Sequence, residues 1–290
     1  MITGLDHVAL AVRDLDAAAK GYEAMLGLAP NWIGAEGGIR QAWFQLPNMA
    51  LDVISPDGEG AFADALRAQL DARGEGIWGL AFKVGKAEAD LEPFAKLMNR
   101  RGLRAGEPAT ARTTNAEGRK RYWRTSSLDP ADTAGLQILL TAAPREGAAW
   151  PLSEPTGPAP VASLDHVVVQ TPNVDRALGI YGAKLGLDLR LDRANEKWGA
   201  RQLFFRCGDA VVEMGARIGG EPSAEPDRFG GLAWRVPEPH AAQARMAAAG
   251  FDVSEVRAGR KPGTHVFTVR DAPGGVPTLM IQPSPALESA

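Results

Sequence analysis

The sequence has little of what marks function most directly. One cysteine, Cys207, stands in 290 residues. That excludes an internal disulfide framework and a multi-cysteine zinc site, and it points to a reducing compartment. Basic residues do not exceed acidic ones: 32 Lys and Arg stand against 35 Asp and Glu, a formal charge of −3. A nucleic-acid or anionic-membrane partner needs a basic face, so neither is expected. No run reaches the ~18 apolar residues that a membrane-spanning helix requires. The opening "MITGLDHV" lacks the basic-then-apolar order of a secretion signal. The expectation is a soluble, cytoplasmic protein. Nucleophile elbows, phosphate-cradling glycine loops and zinc-finger spacings are missing as well. "PGGVP" at 273–277 reads as a turn. What remains is ordinary in amount: 45% apolar residues, enough for sizeable cores, in a length that suits two domains.

The informative feature is a repeat. "LDHVALAVRDLDAAAKGYEAMLGL" from Leu5 aligns without a gap on "LDHVVVQTPNVDRALGIYGAKLGL" from Leu164, so that His7 falls on His166 and Tyr22 on Tyr181. After a two-residue insertion, "RQAWFQLPNMALDVI" from Arg40 lies over "RQLFFRCGDAVVEMG" from Arg201, which sets Asp52 on Glu213. "GLAFKV" at 79–84 then matches "GLAWRV" at 231–236, and "GRK" at 118–120 matches "GRK" at 259–261. Residues 144–163, rich in proline and small side chains, read as an extended linker. Two homologous domains are expected, 1–143 and 164–284.

Within each copy the local order is readable. "HVALAV" alternates as a strand does, and Asp14 can cap a following helix. Ala18, Tyr22 and Leu26 share one helical face, and Gly27 suits the helix terminus. Asn173, Ala177, Tyr181, Leu185 and Gly186 take the same parts in the second copy. Strand-like runs follow, "RQAWFQL" and "MALDVIS", then "RQLFFRC" and "AVVEMG". A second strand-helix-strand series starts at "GLAFKV" and ends at "GLQILLT". Each domain thus reads as two β-α-β-β-β modules, an α+β arrangement.

The run "LDHV…(D/N)…A…Y…LGL" resembles the vicinal oxygen chelate superfamily, which includes glyoxalase I, bleomycin-resistance proteins, methylmalonyl-CoA epimerase and the type I extradiol dioxygenases. The resemblance covers nearly the whole chain apart from linker and tails. It implies two tandem glyoxalase-like domains, each pairing two modules into a cupped mixed sheet with helices outside. It also implies metal ligands on the first and last strands of each module, around Zn, Mn, Fe or Ni. An ion chelated by two adjacent substrate oxygens stabilises enediolate-like charge and eases proton transfer at the neighbouring carbon. The ligand positions carry over unevenly. His7 with Asp52, and His166 with Glu213, have suitable donors, whereas Gly79, Gln137, Gly231 and Thr278 stand at the remaining places. The iron site of an extradiol dioxygenase is therefore disfavoured. Pairing the two intact modules would bring His7, Asp52, His166 and Glu213 together, an arrangement nothing in the sequence demands.

These positions yield a candidate site. His166 and Glu213 are the favoured metal-ligating pair, with His7 and Asp52 a weaker copy. Without metal, a His–Glu pair satisfies both groups and can act as a general base. Period-2 alternation puts His7 on one face with Leu5, Ala9 and Ala11, opposite Val8, Leu10 and Val12. Glu213 and His265 are the catalytic candidates. Trp198, Phe204, Phe205 and Trp234, with Trp43, Trp78 and Trp123 in the first copy, could stack on a planar ligand, and of these Trp198, Phe205 and Trp234 are the favoured candidates. Arg260 and Lys261 are candidates for holding an anion; core packing and a solvated basic turn are the bland alternatives. Two functions follow. One is a glyoxalase-like lyase or isomerase acting on a small oxygenated or aromatic metabolite, with a divalent metal or none. The other is a metal-free protein that sequesters a small molecule. The only partner expected is that small molecule, and homodimerisation is left open.

Overall fold

The computed structural model describes residues 1–142, 150–260 and 262–283. The first module runs β1 (Ile2–Ala11), α1 (Leu15–Leu26), β2 (Trp32–Glu36), β3 (Ile39–Gln45) and β4 (Ala50–Pro56). An added helix, α2 (Ala61–Arg73), precedes the second module of β5 (Gly76–Val84), α3 (Leu91–Arg100), β6 (Ala109–Asn115), β7 (Lys120–Ser127) and β8 (Gln137–Ala142). The third comprises β9 (Ser163–Gln170), α4 (Val174–Ala177, continued by a wider-wound turn at Leu178–Lys184), β10 (Asp188–Asn195), β11 (Ala200–Cys207) and β12 (Ala210–Arg217). The fourth holds β13 (Arg228–Arg235), α5 (Pro239–Ala248), β14 (Arg257–Ala258), β15 (His265–Val269) and β16 (Thr278–Ile281). The fold is α+β with tandem βαβββ modules.

Helix ends follow the local chemistry. The Asp14 side chain accepts from Ala17 N, and the Asn173 side chain from Arg176 N, each satisfying a first-turn donor. Gly27 closes α1 at φ 67°, in the left-handed region that glycine enters without steric cost.

Modules one and two share one sheet, a closed barrel in the order β1-β4-β3-β2-β6-β7-β8-β5. Modules three and four form an open eight-stranded sheet, β10-β11-β12-β9-β13-β16-β15-β14. His7 and His166 therefore lie in different sheets, and the pairing of modules one and three does not occur. In both sheets the first and last strands of the odd modules run parallel and in equivalent register, with Ala9 opposite Asp52 and Val168 opposite Glu213.

A β-bulge shapes the start of each first strand. The register of β1 against β5 slips between Leu5 and His7, and that of β13 against β9 slips at the matching place. One extra residue, Asp6 or Asp165, breaks the alternation. Leu5 consequently joins Val8, Leu10 and Val12 on the helix-packed face, not His7 as simple alternation predicts. The convex faces of both sheets and the helices α1, α3, α4 and α5 bury one continuous apolar core. Hydrogen bonds cross between the halves: Tyr22 Oη donates to Pro273 O (2.9 Å), Asn48 Nδ2 to Leu164 O (2.7 Å) and Arg101 to Lys184 O (2.8 Å).

Helix α2 was not anticipated. It lays Ala63, Leu66 and Leu70 against Ala9, Ala11, Ile39 and Ile54, filling one end of the first barrel. Among the described residues no helix is long and apolar enough to cross a membrane.

Candidate functional site

In the second cup, strand β9 presents His166 and strand β12 presents Glu213 on the same concave face. His166 Nε2 lies 3.3 Å from Glu213 Oε2. Its Nδ1 lies 2.8 Å from Asp165 Oδ1. The bulge is what permits this contact, because it turns Asp165 alongside its own neighbour's ring. Arg235 Nε donates to the other Asp165 oxygen at 2.9 Å. Burial acts to raise the Asp165 pKa, but His166 and Arg235 outweigh it and hold the carboxyl down at about 2. Asp165 is thus a fixed anion that orients the imidazole.

The arrangement has a chemical consequence. A ring nitrogen facing a carboxylate must donate, so Nδ1 carries a proton toward Asp165. A neutral ring then has its lone pair on Nε2, facing the Glu213 carboxylate. A cation between them, either the second imidazole proton or a metal ion, reconciles the pair. The donors present, one imidazole nitrogen with an outer carboxylate and one Glu oxygen, fit a divalent ion in type and position. Only two protein donors converge, and among the described residues no group of three or more His, Cys, Asp or Glu is placed so that it could hold a metal ion.

Around the pair, Gln202 Nε2 donates to Glu213 Oε1, while Gln202 Oε1 accepts from Arg193 at 2.9 Å and lies 3.5 Å from Arg260. Arg260 sits 4.1 Å over the ring of Trp198, which is exposed. Trp198 and Arg260 are therefore brought to the rim of this cup. Lys261 lies outside the described residues.

The other candidates sit elsewhere. Phe205 packs against Tyr181 at 5.8 Å between ring centroids, and Trp234 is fully buried in the shared core. The aromatic beside the pair is Phe204, which stands opposite Glu213 in the ladder, one residue from the expected position. His265 also misses the cup. Phe267, two residues on and so on the same face, belongs to the helix-packed core. His265 itself bonds Gln282 at 2.8 Å and lies 5.7 Å from His240 of helix α5. Cys207 is buried, and burial pushes its thiol up to about 12, a poor nucleophile.

The vacant ligand places have a structural cause. Gly231 sits at φ 146°, and a Cβ there would meet Pro277 O at 2.3 Å. At Gly79 a Cβ would meet Gln137 O at 2.9 Å. Thr278 turns its hydroxyl onto Val276 O at 2.8 Å and is buried.

The first cup repeats the geometry with a gap in it. His7 Nδ1 lies 2.8 Å from Asp6 Oδ1. Asp52 is one methylene shorter than Glu213, makes no ion pair among the described residues, and leaves a buried Oδ1 without a hydrogen-bond partner. Burial, joined by the Asp6 charge and opposed by His7, lifts the Asp52 carboxyl to about 7. The pair is buried: α2 closes one side, and Trp43 packs 5.0 Å from His7, tilted at 56°, on the other.

Asp165, Gln202, Arg193 and Arg235 were not among the residues singled out from sequence, whereas Phe204 was weighed there as a stacking aromatic. The signal for two of them was present, because the doublets Asp-His and Arg-Gln recur in both copies.

Paired βαβββ modules forming cups with His and acid on the first and fourth strands define the vicinal oxygen chelate fold. The chain belongs to the glyoxalase-like domain family, whose model matches residues 5–185, and the model of the glyoxalase/bleomycin resistance protein/dioxygenase superfamily matches residues 165–268. No curated protein matches the sequence. A triply substituted 4-hydroxymandelate synthase from Streptomyces coelicolor superposes with TM-score 0.66 at 16% identity, covering 97% of this chain and 93% of the other. The Mn(II)-bound glyoxalase from Novosphingobium aromaticivorans gives TM-score 0.64 at 16% identity over 97% and 82%. BphC, a halotolerant catechol dioxygenase, gives 0.60 at 15% identity over 98% and 87%. At these identities the likeness is one of fold.

Proposed function

We propose that the chain is an enzyme that moves a proton on a small oxygenated metabolite, as an isomerase or lyase, with its chemistry in the second cup. The observation that carries this reading is the His166–Glu213 contact of 3.3 Å, oriented by Asp165 on a sheet that does not close into a barrel. In the first cup the equivalent pair is buried and Asp52 makes no ion pair among the described residues, which makes it an auxiliary copy.

The roles follow from position. Glu213 accepts the proton from a carbon next to a carbonyl, and the electron pair of that C–H bond becomes enolate charge on the substrate. His166, positioned by Asp165, balances the charge change at Glu213. Gln202 fixes the carboxylate it donates to, and Arg260, held over Trp198, faces the enolate oxygen from the rim. The same proton returns to the original carbon or its neighbour in an isomerase, or a leaving group departs in a lyase. A divalent ion, when bound, would be held by His166 Nε2 and the Glu213 carboxylate and would polarise two adjacent substrate oxygens. The Mn(II)-bound neighbour supports that cofactor class.

A ligand-sequestering protein is the second reading, favoured by the glycines at 79 and 231 that cannot carry ligands. Deuterium wash-in separates the two. Small 2-hydroxy and 2-oxo carbonyl compounds are incubated with the protein in D2O and followed by NMR. Carbon-bound deuterium that appears with wild type and not with His166→Ala supports the enzyme; tight binding without exchange supports sequestration.

A further inference from the structure

A second cavity, unconnected with the His–Glu chemistry, opens at the mouth of the first barrel. It holds about 690 Å³ and is lined by Trp43, Trp123 and Trp150, with Arg121, Lys83 and Thr141 among the polar groups. That volume suits a small planar molecule. Trp150 and Leu152, from the described part of the linker, line the cavity's edge. Ser153 N donates to Gln45 O at 2.9 Å, and the Ser153 hydroxyl accepts from Gln45 N at 3.0 Å. Trp43 and Trp123 sit 6.2 Å apart between ring centroids, tilted at 45°, and present aromatic faces and edges to the cavity.

The polar half of the site is Arg121. Its guanidinium lies between two rings, 4.2 Å from Trp32 and 4.3 Å from Trp150, and the residue is only 9% exposed. Two of its N–H groups reach Asn31, at 3.1 Å on the backbone carbonyl and 3.3 Å on the side chain. No carboxylate pairs with it among the described residues. Burial, helped by Arg119, lowers its pKa to about 10, the mark of a desolvated cation without a counter-ion. The neighbouring charges keep the sign. Lys83, Lys120, Arg121 and Arg124 line the cavity against Asp6 and Glu88. Asp6 is engaged by His7, Arg124 is engaged by Glu92, and Glu88 is itself engaged.

We infer that this cavity is a binding site for a planar aromatic carboxylate, its ring among Trp43, Trp123 and Trp150 and its carboxylate on the free N–H groups of Arg121. An Arg–carboxylate contact in a desolvated setting supplies both charge and geometry. His7 and Asp52 take no part, since Trp43 covers them. The inference is independent of the proposed chemistry in the second cup.

Calorimetric titration tests it with 2-naphthoate and its neutral isostere 2-naphthamide. The expected result is one saturable naphthoate site per chain. Naphthamide binds at least about tenfold more weakly, as does naphthoate to Arg121→Gln, from loss of charge-assisted hydrogen bonds. Trp150→Ala, which leaves the barrel intact, weakens naphthoate as well, and Glu213→Gln does not. Absence of saturable binding at millimolar naphthoate, equal binding of naphthamide, or unchanged affinity in Trp150→Ala overturns the assignment. The last two comparisons hold even if Arg121→Gln fails to fold.

Discussion

Asp52→Asn isolates the cost of an ionisable group buried without a partner. In the folded protein the Asp52 carboxyl titrates at about 7, against 3.8 in an unperturbed chain, because burial outweighs the attraction of His7. Between those values the native state holds a proton that the unfolded chain has released. Stability therefore falls as pH rises through the window, and above about 7 the penalty is fully present. Roughly three units at 1.36 kcal/mol each make the full penalty about 4 kcal/mol. Between about pH 5.5 and pH 8 the contribution changes by about 2 kcal/mol. Asparagine has nearly the same shape and no charge. Its amide still needs hydrogen bonds, a cost of about 1–3 kcal/mol that does not vary with pH. The variant should therefore gain about 2 kcal/mol on wild type between the two pH values, whatever its absolute stability. Urea unfolding of chelator-treated protein at each pH measures this, chelation ensuring that no ion pairs with the wild-type carboxylate. A difference between variant and wild type that stays constant with pH would refute the reasoning.

Two further outcomes are expected. Gly231→His should not restore a third ligand in the second cup. The left-handed backbone alone costs about 1–3 kcal/mol for a side chain, and the new Cβ collides with Pro277 O, so thermal unfolding should come earlier with no gain in Mn(II) or Zn(II) affinity. Tyr22→Phe and Tyr181→Phe should differ, although both rings are fully buried. Tyr22 loses a hydrogen bond to Pro273 O across the halves and should cost about 1 kcal/mol, whereas the Tyr181 hydroxyl has no hydrogen-bond partner among the described residues and its removal should be neutral or stabilising by urea unfolding.

The repeat made the architecture legible. Matching Asp-His strands, Asp14 and Asn173 as caps, and Gly27 as terminator each carry a local rule that the tertiary structure keeps. The position of His166 and Glu213 on one face was legible for the same reason, because their register repeats that of His7 and Asp52. What period-2 alternation missed came from bulges and single-residue shifts. Asp165 is the extra residue of a bulge, so Leu164 faces the helices while His166 faces the cup. Of the adjacent aromatics, Phe204 faces the pair and Phe205 the core, and His265 turned to the helix side, because one residue of register exchanges the two faces of a strand. Helix α2 carried its signal in Ala63, Leu66 and Leu70, but only the barrel shows that it plugs a cup. Arg121 stands out only in three dimensions, where two tryptophans from distant segments meet across it.

The central claim is that proton chemistry belongs to the second cup and not the first. Its most direct test is the rate of deuterium wash-in, on whichever carbonyl substrate wild type exchanges, for Glu213→Gln and Asp52→Asn side by side. Removing a general base is worth at least about a hundredfold. The account predicts that loss in Glu213→Gln and a wild-type rate in Asp52→Asn. Exchange at the wild-type rate in Glu213→Gln, or an equal loss in Asp52→Asn, would contradict it.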